Sequence, residues 1–169
     1  MASCKRDCRR NATPASRLLW NNPIYSRRTI MPMWQIYHPE AAFSQSDKQE
    51  LAAKITAIYE SFLPRFYVNV FFHSIPKGGL FIGGEVANDF VRVTIDHIAR
   101  SIDDPEMQQQ FLRGCARVLE PYVAGRGYRW ELHIDDTPFD LWMINGLKPP
   151  HPGTPAELKW RSENKPSTY

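Results

Sequence analysis

Residues 33–72 run from Met-Trp-Gln-Ile-Tyr (33–37) to Phe-Tyr-Val-Asn-Val-Phe-Phe (66–72), and between them Leu51, Ala52, Ile55, Ile58, Tyr59, Phe62 and Leu63 fall at helical spacing. The two ends are short and rich in aromatic and β-branched residues, which pack well on a pleated surface, so they read as strands. The middle repeats with a period near 3.6 residues and reads as a helix. Ser44-Gln45-Ser46-Asp47 supplies polar N-cap candidates ahead of it, and Pro64, which has no N–H to donate, stops it. The stretch is a β-α-β unit.

The same order then returns. Val-Arg-Val-Thr-Ile-Asp (91–96) reads as a strand, Asp104 can cap a helix with Pro105 at its first position, and Met107, Phe111, Leu112, Cys115, Val118, Leu119, Tyr122 and Val123 keep the helical period. Gly125-Arg126-Gly127 ends the helix before a strand over residues 128–134. Corresponding points lie about 60 residues apart, as an internal duplication requires. Two such units, about 32–76 and 91–138, predict an α+β fold: a four-stranded sheet with two helices on one face, because helical crossovers join parallel neighbours and stay on one side. The other face is then left uncovered, which points to an oligomer.

Outside the units, Lys77-Gly78-Gly79-Leu80-Phe81-Ile82-Gly83-Gly84 lacks the ending of a phosphate loop and reads as a glycine-rich hairpin. Residues 149–152 are proline-rich and extended. Thr154-Pro155-Ala156-Glu157 has the pattern of a capping box and opens a short helix through Leu158 and Trp160, in a tail expected to wrap a neighbour or cover the mouth of a site.

The chain has 169 residues, 43% hydrophobic and 23% charged, with a formal net charge of +3. No apolar run reaches the ~18 residues of a membrane span, so a membrane protein is not expected. The charge is uneven: residues 1–30 hold seven basic residues and one acid, and the rest holds 14 basic and 17 acidic. The basic character belongs to a leader, residues 1–31, and the duplicated domain, 32–169, is acidic. Nucleic-acid binding is therefore not expected of the domain. The leader reads as a false start upstream of Met31, as an Arg-rich organellar transit peptide, or as a basic arm with Trp20 and Tyr25 as stacking groups. The corresponding locations are the cytoplasm or, for a transit peptide, the mitochondrion. Cys4 and Cys8 lack partners for a zinc site, and Cys115 falls on a buried helix face, so a disulfide framework is not expected.

No HExxH, CxxC or GxSxG pattern occurs, and neither a metal nor a cofactor is implied. The pair Met31-Pro32 at the head of the first strand is different. A chain trimmed to a free amino-terminal proline carries a secondary amine, a base without equivalent among side chains, and an apolar pocket near cations lowers its pKa toward neutrality. On position alone, Pro32 also suits the start of a strand.

The Pro32 strand, the tandem units, Phe81-Ile82-Gly83-Gly84, His97-Ile98-Ala99-Arg100 and Pro149-Pro150-His151-Pro152-Gly153 together resemble the cis-3-chloroacrylic acid dehalogenase-like branch of the tautomerase (4-oxalocrotonate tautomerase) superfamily, over about residues 32–160. The resemblance implies a fused β-α-β fold, a homotrimer, an amino-terminal proline catalyst and a small enolic or unsaturated carboxylate as substrate. It places Pro32 as the catalytic proline and Arg100 as the arginine gripping the substrate carboxylate, a role that suits a planar guanidinium. A second family arginine falls at His97 or Ile98, a helix histidine at Tyr59, a late tyrosine at Leu132 or His133, and a water-activating glutamate at Ile144 or Asn145. Pro32, Arg100 and Tyr59 are thus the catalytic candidates, and His97, Asn145 and His133 the substrate-binding ones.

Each has an ordinary reading beside this one: Arg100 as a surface charge, Tyr59 as core packing, His97 as satisfied by backbone, Asn145-Gly146 as a turn. The missing glutamate disfavours hydration or dehalogenation, which need activated water. Keto–enol isomerisation needs only a base and stabilisation of the enolate, so a cofactor-independent tautomerase is the expected activity. The alternatives are a dehalogenase or hydratase acting on 3-substituted acrylates, or an inert oligomeric binding module if Pro32 is not the mature terminus.

Overall fold

The computed structural model describes residues 31–60, 63–98, 102 and 104–169. The leader, with Cys4 and Cys8, lies outside them, as do Phe62 and Arg100. The strands are β1 (Met31–Pro39), β2 (Asn69–Ile75), β3 (Phe81–Ile82), β4 (Glu85–Val86), β5 (Phe90–Ile98) and β6 (Arg129–Thr137), and the helices are α1 (Gln45–Tyr59), α2 (Pro105–Leu119) and α3 (Pro155–Glu163). Four strands form one sheet in the order β2-β1-β5-β6. The pairs β1/β2 and β5/β6 are parallel and β1/β5 is antiparallel. The two β-α-β units are therefore joined edge to edge through their first strands.

Sheet register sorts the side chains into rows. On the helix face, Val70, Trp34, Ile95 and Ile134 form one row, and Phe72, Ile36, Val93 and Leu132 the next. Every second residue of β1 and β5 is buried, and the alternate residues are half-buried. Leu51, Ile55 and Tyr59 of α1 and Met107, Phe111, Cys115 and Leu119 of α2 are the helices' buried residues. Burying each of these aliphatic or aromatic side chains contributes roughly 1.5–3 kcal/mol, well above the 0–1 kcal/mol of about any single surface ion pair, so the rows decide the register.

Local signals fix the ends. Ser44 caps α1 in a reciprocal capping box with Asp47, and Arg126 holds the same Asp47 by two hydrogen bonds of 2.6 and 3.1 Å while also donating to the Ala42 carbonyl at 3.2 Å. That guanidinium, with Ser44, holds the Asp47 carboxyl far below the usual carboxylate range. Asp104 caps α2 through the Glu106 N–H, with Pro105 at the first position. At the tip between β3 and β4, Gly83 and Gly84 have φ of 61° and 89°, as a tight hairpin turn requires. In α3 the capping box is displaced by one residue: Thr154 accepts from the Glu157 N–H, but the Glu157 carboxylate takes the Gly153 N–H at 2.6 Å.

Two expectations shift. α1 ends at Tyr59, with the Glu60 N–H closing on Thr56, and Leu63 joins the core beyond the helix. The strand expected over 66–72 begins at Asn69, because Arg65–Tyr67 turns as a 3-10 segment after Pro64. Tertiary packing overrides strand propensity there, since the turn carries the Tyr67 ring into the core against Trp142 (5.0 Å) and Trp160 (6.4 Å). The tail packs on its own chain. Trp160 is fully buried against Phe66 and Tyr67, Asn164 accepts from the Phe66 N–H, and the Trp160 indole donates to the Ser167 carbonyl at 2.6 Å. Among the described residues no helix is long and apolar enough to cross a membrane.

Candidate active site

Pro32 stands at the head of β1, buried on the helix face, with His97 of β5 as its Cα partner. The row continues to Asp136 of β6, the partner of His97. Unlike the two apolar rows above it, this row ends the core in a proline, a histidine and a carboxylate. His97 is fully buried. Tyr59, from the end of α1, meets it edge-on at 6.4 Å between ring centroids, and Phe111 of α2 meets it at 4.9 Å.

Tyr59 is also fully buried and accepts a 3.1 Å hydrogen bond from the Trp34 indole. Burial pushes its phenol well above the ordinary tyrosine value, so at neutral pH it stays protonated and acts as a hydrogen-bond donor and not as a base. Pro32, Tyr59 and His97 thus lie together at one end of the sheet. Cys115 of α2 is buried as well, and burial holds its thiol protonated.

The remaining candidates lie elsewhere. His133 shares a row with Phe71, Gln35 and Thr94 on the opposite face. Arg92 approaches its Nδ1 at 2.8 Å, and because a guanidinium only donates, Nδ1 is the acceptor and Nε2–H points to Asp135 at 3.1 Å. Asn145 is exposed in a two-residue turn closed by reciprocal Ile144–Leu147 hydrogen bonds of 3.0 and 2.8 Å. Its φ of 49° and the 77° of Gly146 are what such a turn needs, so the turn accounts for both residues. The site assignment of Arg100 falls outside the described residues.

Three residues at the site escaped the motif reading: Trp34, Phe111 and Asp136. Strand parity was the available signal. Trp34 follows Pro32 by two, and Asp136 follows the apolar series Trp130, Leu132, Ile134 by two, so each shares a face with its predecessors. A surface cleft of about 300 Å³ lies instead beside Pro39, Lys77 and Asn88, and another of about 550 Å³ beside His151 and Lys159. Neither is lined by Pro32, which is a strand residue paired in the sheet while Met31 precedes it. Among the described residues no three His, Cys, Asp or Glu side chains are grouped to hold a metal ion.

The model of a family described as a putative oxalocrotonate tautomerase enzyme matches residues 31–165. The chain is 44% identical to native RhCC from Rhodococcus jostii RHA1, with a TM-score of 0.78 over 81% of this chain and 99% of that one. It is 41% identical to a probable enzyme from the thermophilic fungus Aspergillus fumigatus, with a TM-score of 0.79 over 83% and 99%. A member of the cis-3-chloroacrylic acid dehalogenase family shares the fold at 20% identity and a TM-score of 0.61, over 78% and 97%. Among curated proteins none matches. Since the match takes in the whole four-stranded sheet and all three helices, the chain belongs to the family of putative oxalocrotonate tautomerases, within the superfamily its sequence resembles.

Proposed function

We propose that the protein is a tautomerase-like isomerase that uses Pro32, freed as the amino terminus by loss of residues 1–31, as general base on a small enolic or unsaturated carboxylate. The observation that carries this reading is the placement of Pro32: it heads β1 on the core face, paired with the fully buried His97, which Tyr59 meets edge-on. Loss of Met31 opens the strand end next to its partner Ile98 and turns an amide nitrogen into a secondary amine. Apolar surroundings penalise the ammonium form and bring the amine toward the working range of a base. Arg100, three residues beyond His97 in sequence, is proposed to hold the substrate carboxylate. Tyr59 is proposed to donate to the developing enolate oxygen, where a preorganised donor in a dry site is most effective.

The uncovered sheet face supports assembly, and the trimer implied by the resemblance is part of the proposal. That face is mixed in character, with exposed Phe71 and stacked Tyr37 and His73 at the β2 side and the Arg92, Glu131, His133 and Asp135 cluster at the β6 side.

The test compares two forms of the chain, one beginning at Met1 and one at Pro32, for ketonisation of an aryl enol-pyruvate, together with the intact mass of the protein from its native source. Turnover confined to the Pro32 form, and a native mass matching it, is the expected result. Equal turnover by both forms, or a native protein that retains residues 1–31, overturns the proposal.

A further inference from the structure

The two units correspond strand by strand, and the match picks out a second region of the sheet. β1 and β5 are nine-residue strands with the same alternation of burial, so Pro39 corresponds to Ile98 and, two residues on, Ala41 to Arg100. Pro39 pairs with Ile75 and Ile98 with Thr137, so Ile75 corresponds to Thr137 and Lys77 to Phe139. The carboxyl ends of β1 and β2 are thus the first unit's counterpart of the sheet end that holds Pro32. In an open sheet the crevice outside the carboxyl ends of parallel strands is where ligands settle. A cleft of about 300 Å³ lies there, between the turns that follow the two strands. Its walls are tied in place. The turn over residues 39–42 is closed by the Ala42 N–H on the Pro39 carbonyl at 2.9 Å, and that over 76–79 by the Gly79 N–H on the Pro76 carbonyl at 2.8 Å. Gly78 takes the third position of the second turn with φ of 80° and donates its N–H to Asn88 Oδ1 at 3.0 Å. The Ala87 N–H donates to the Leu80 carbonyl at 2.9 Å, which closes the base of the hairpin.

The lining sorts by chemistry. Ile75, Leu80, Ala87 and the rings of Pro39 and Pro76 make apolar walls. Lys77, on the second turn, is the one cation that lines the cleft, and Glu40, on the first, is the one carboxylate. Both are exposed, and neither side chain has an ion-pair or hydrogen-bond partner among the described residues. We propose that this cleft binds a small monocarboxylate with an apolar body: the walls take the body and the Lys77 ammonium takes the carboxylate. Glu40 sets the charge of the ligand, because it faces the same space with no cation of its own and repels a second carboxylate. The volume lies at the small end of ligand pockets, so the body is a single ring or a short chain. The site is separate from Pro32, which does not line it, and it stands whether or not Pro32 is a base. The residue of β5 that corresponds to Pro32 is Val91, whose nitrogen is a peptide amide within a strand, so the cleft binds its ligand without converting it.

The experiment titrates 3-phenylpropanoate, a saturated acid with no enol to react, into the full chain and follows the backbone amides by NMR. The expected result is saturable shifts at Lys77, Gly78, Gly79, Ala87 and Asn88. Lys77→Ala raises Kd by about tenfold or more, in the range for losing a charged hydrogen-bond partner. Phenylsuccinate, which adds a second carboxylate, binds about tenfold or more less tightly than 3-phenylpropanoate, and Glu40→Gln narrows that gap. Lys159→Ala, at the other cleft, leaves both affinities unchanged. Lys77 and Glu40 are exposed turn residues, so these variants keep the fold, which unchanged amide shifts elsewhere verify. The proposal is overturned if no saturable shift occurs at these amides, if the shifts centre on residues 150–159, or if Lys77→Ala keeps Kd within about twofold. Equal affinity for the two acids overturns the role of Glu40.

Discussion

The indole Nε1 of Trp34 donates to the Tyr59 hydroxyl at 3.1 Å, tying β1 to the end of α1 one row in from Pro32. Both side chains are fully buried, so neither can exchange this bond for one to water.

Tyr59→Phe therefore leaves a buried indole N–H without its acceptor. The expected cost is about 1–3 kcal/mol of stability, read from urea unfolding midpoints. Because the loss comes from the orphaned donor, adding Trp34→Phe recovers part of it in a double-mutant cycle. A single-mutant cost near zero contradicts this account of the bond.

His38 sits at the far end of the same face of β1, fully buried, with Nδ1–H donating to the Pro39 carbonyl at 2.7 Å and Nε2 without a partner among the described residues. Phe43 and Phe72 meet its ring edge-on, Lys48 reaches over Phe72 from α1, and His73 lies on β2. Burial, reinforced by Lys48 and His73 against the Pro39 contact, holds its pKa below the ordinary 6.5. The unfolded chain therefore binds this proton first, so stability is complete above the unfolded value and is lost as pH falls through it. Urea midpoints measured across about pH 8 to 5 should decline toward acid, and His38→Leu should flatten that decline. An unchanged slope in the variant would show that other groups dominate.

Trp160 fastens the tail to the first unit. Its ring packs on Phe66, Tyr67 and Tyr169, and its indole closes the Ser167 carbonyl back onto α3. Truncation to Ala is expected to cost about 3–5 kcal/mol, typical of a large buried aromatic, and to open the chain after Lys148 to limited proteolysis. Thermal unfolding and digestion mapped by mass spectrometry check both. A tail that stays protected in Trp160→Ala would mean that the Tyr169 to Lys148 hydrogen bond and the Asn164 contact hold it alone.

Much of the fold was legible because its signals are local. The two apolar periods, Ser44, Asp104, Pro105 and the Gly83-Gly84 pair each state their own structure within a few residues, and the duplication predicts the sheet. The ends of elements were less legible wherever distant residues decide them: β2 starts late because Tyr67 is claimed by Trp142 and Trp160, which follow it by 75 residues or more. The site was legible in part. Pro32, Tyr59 and His97 lie together because the head of β1 meets the far ends of β5 and α1, whereas His133 faces the other side of the sheet, as strand parity dictates. Parity with Trp130, Leu132 and Ile134 puts Asp136 on the core face of β6, but its place beside His97 needed the register of β5 and β6.

The central claim concerns one nitrogen atom, and a single substitution tests it. In the chain that begins at Pro32, Pro32→Ala replaces a secondary amine with a primary one and removes the ring while leaving a free terminus. The account predicts that kcat/KM for ketonisation of an aryl enol-pyruvate falls by about 100-fold or more, as for loss of a positioned general base, with the fold intact by circular dichroism. Turnover within a few-fold of the parent chain would contradict it.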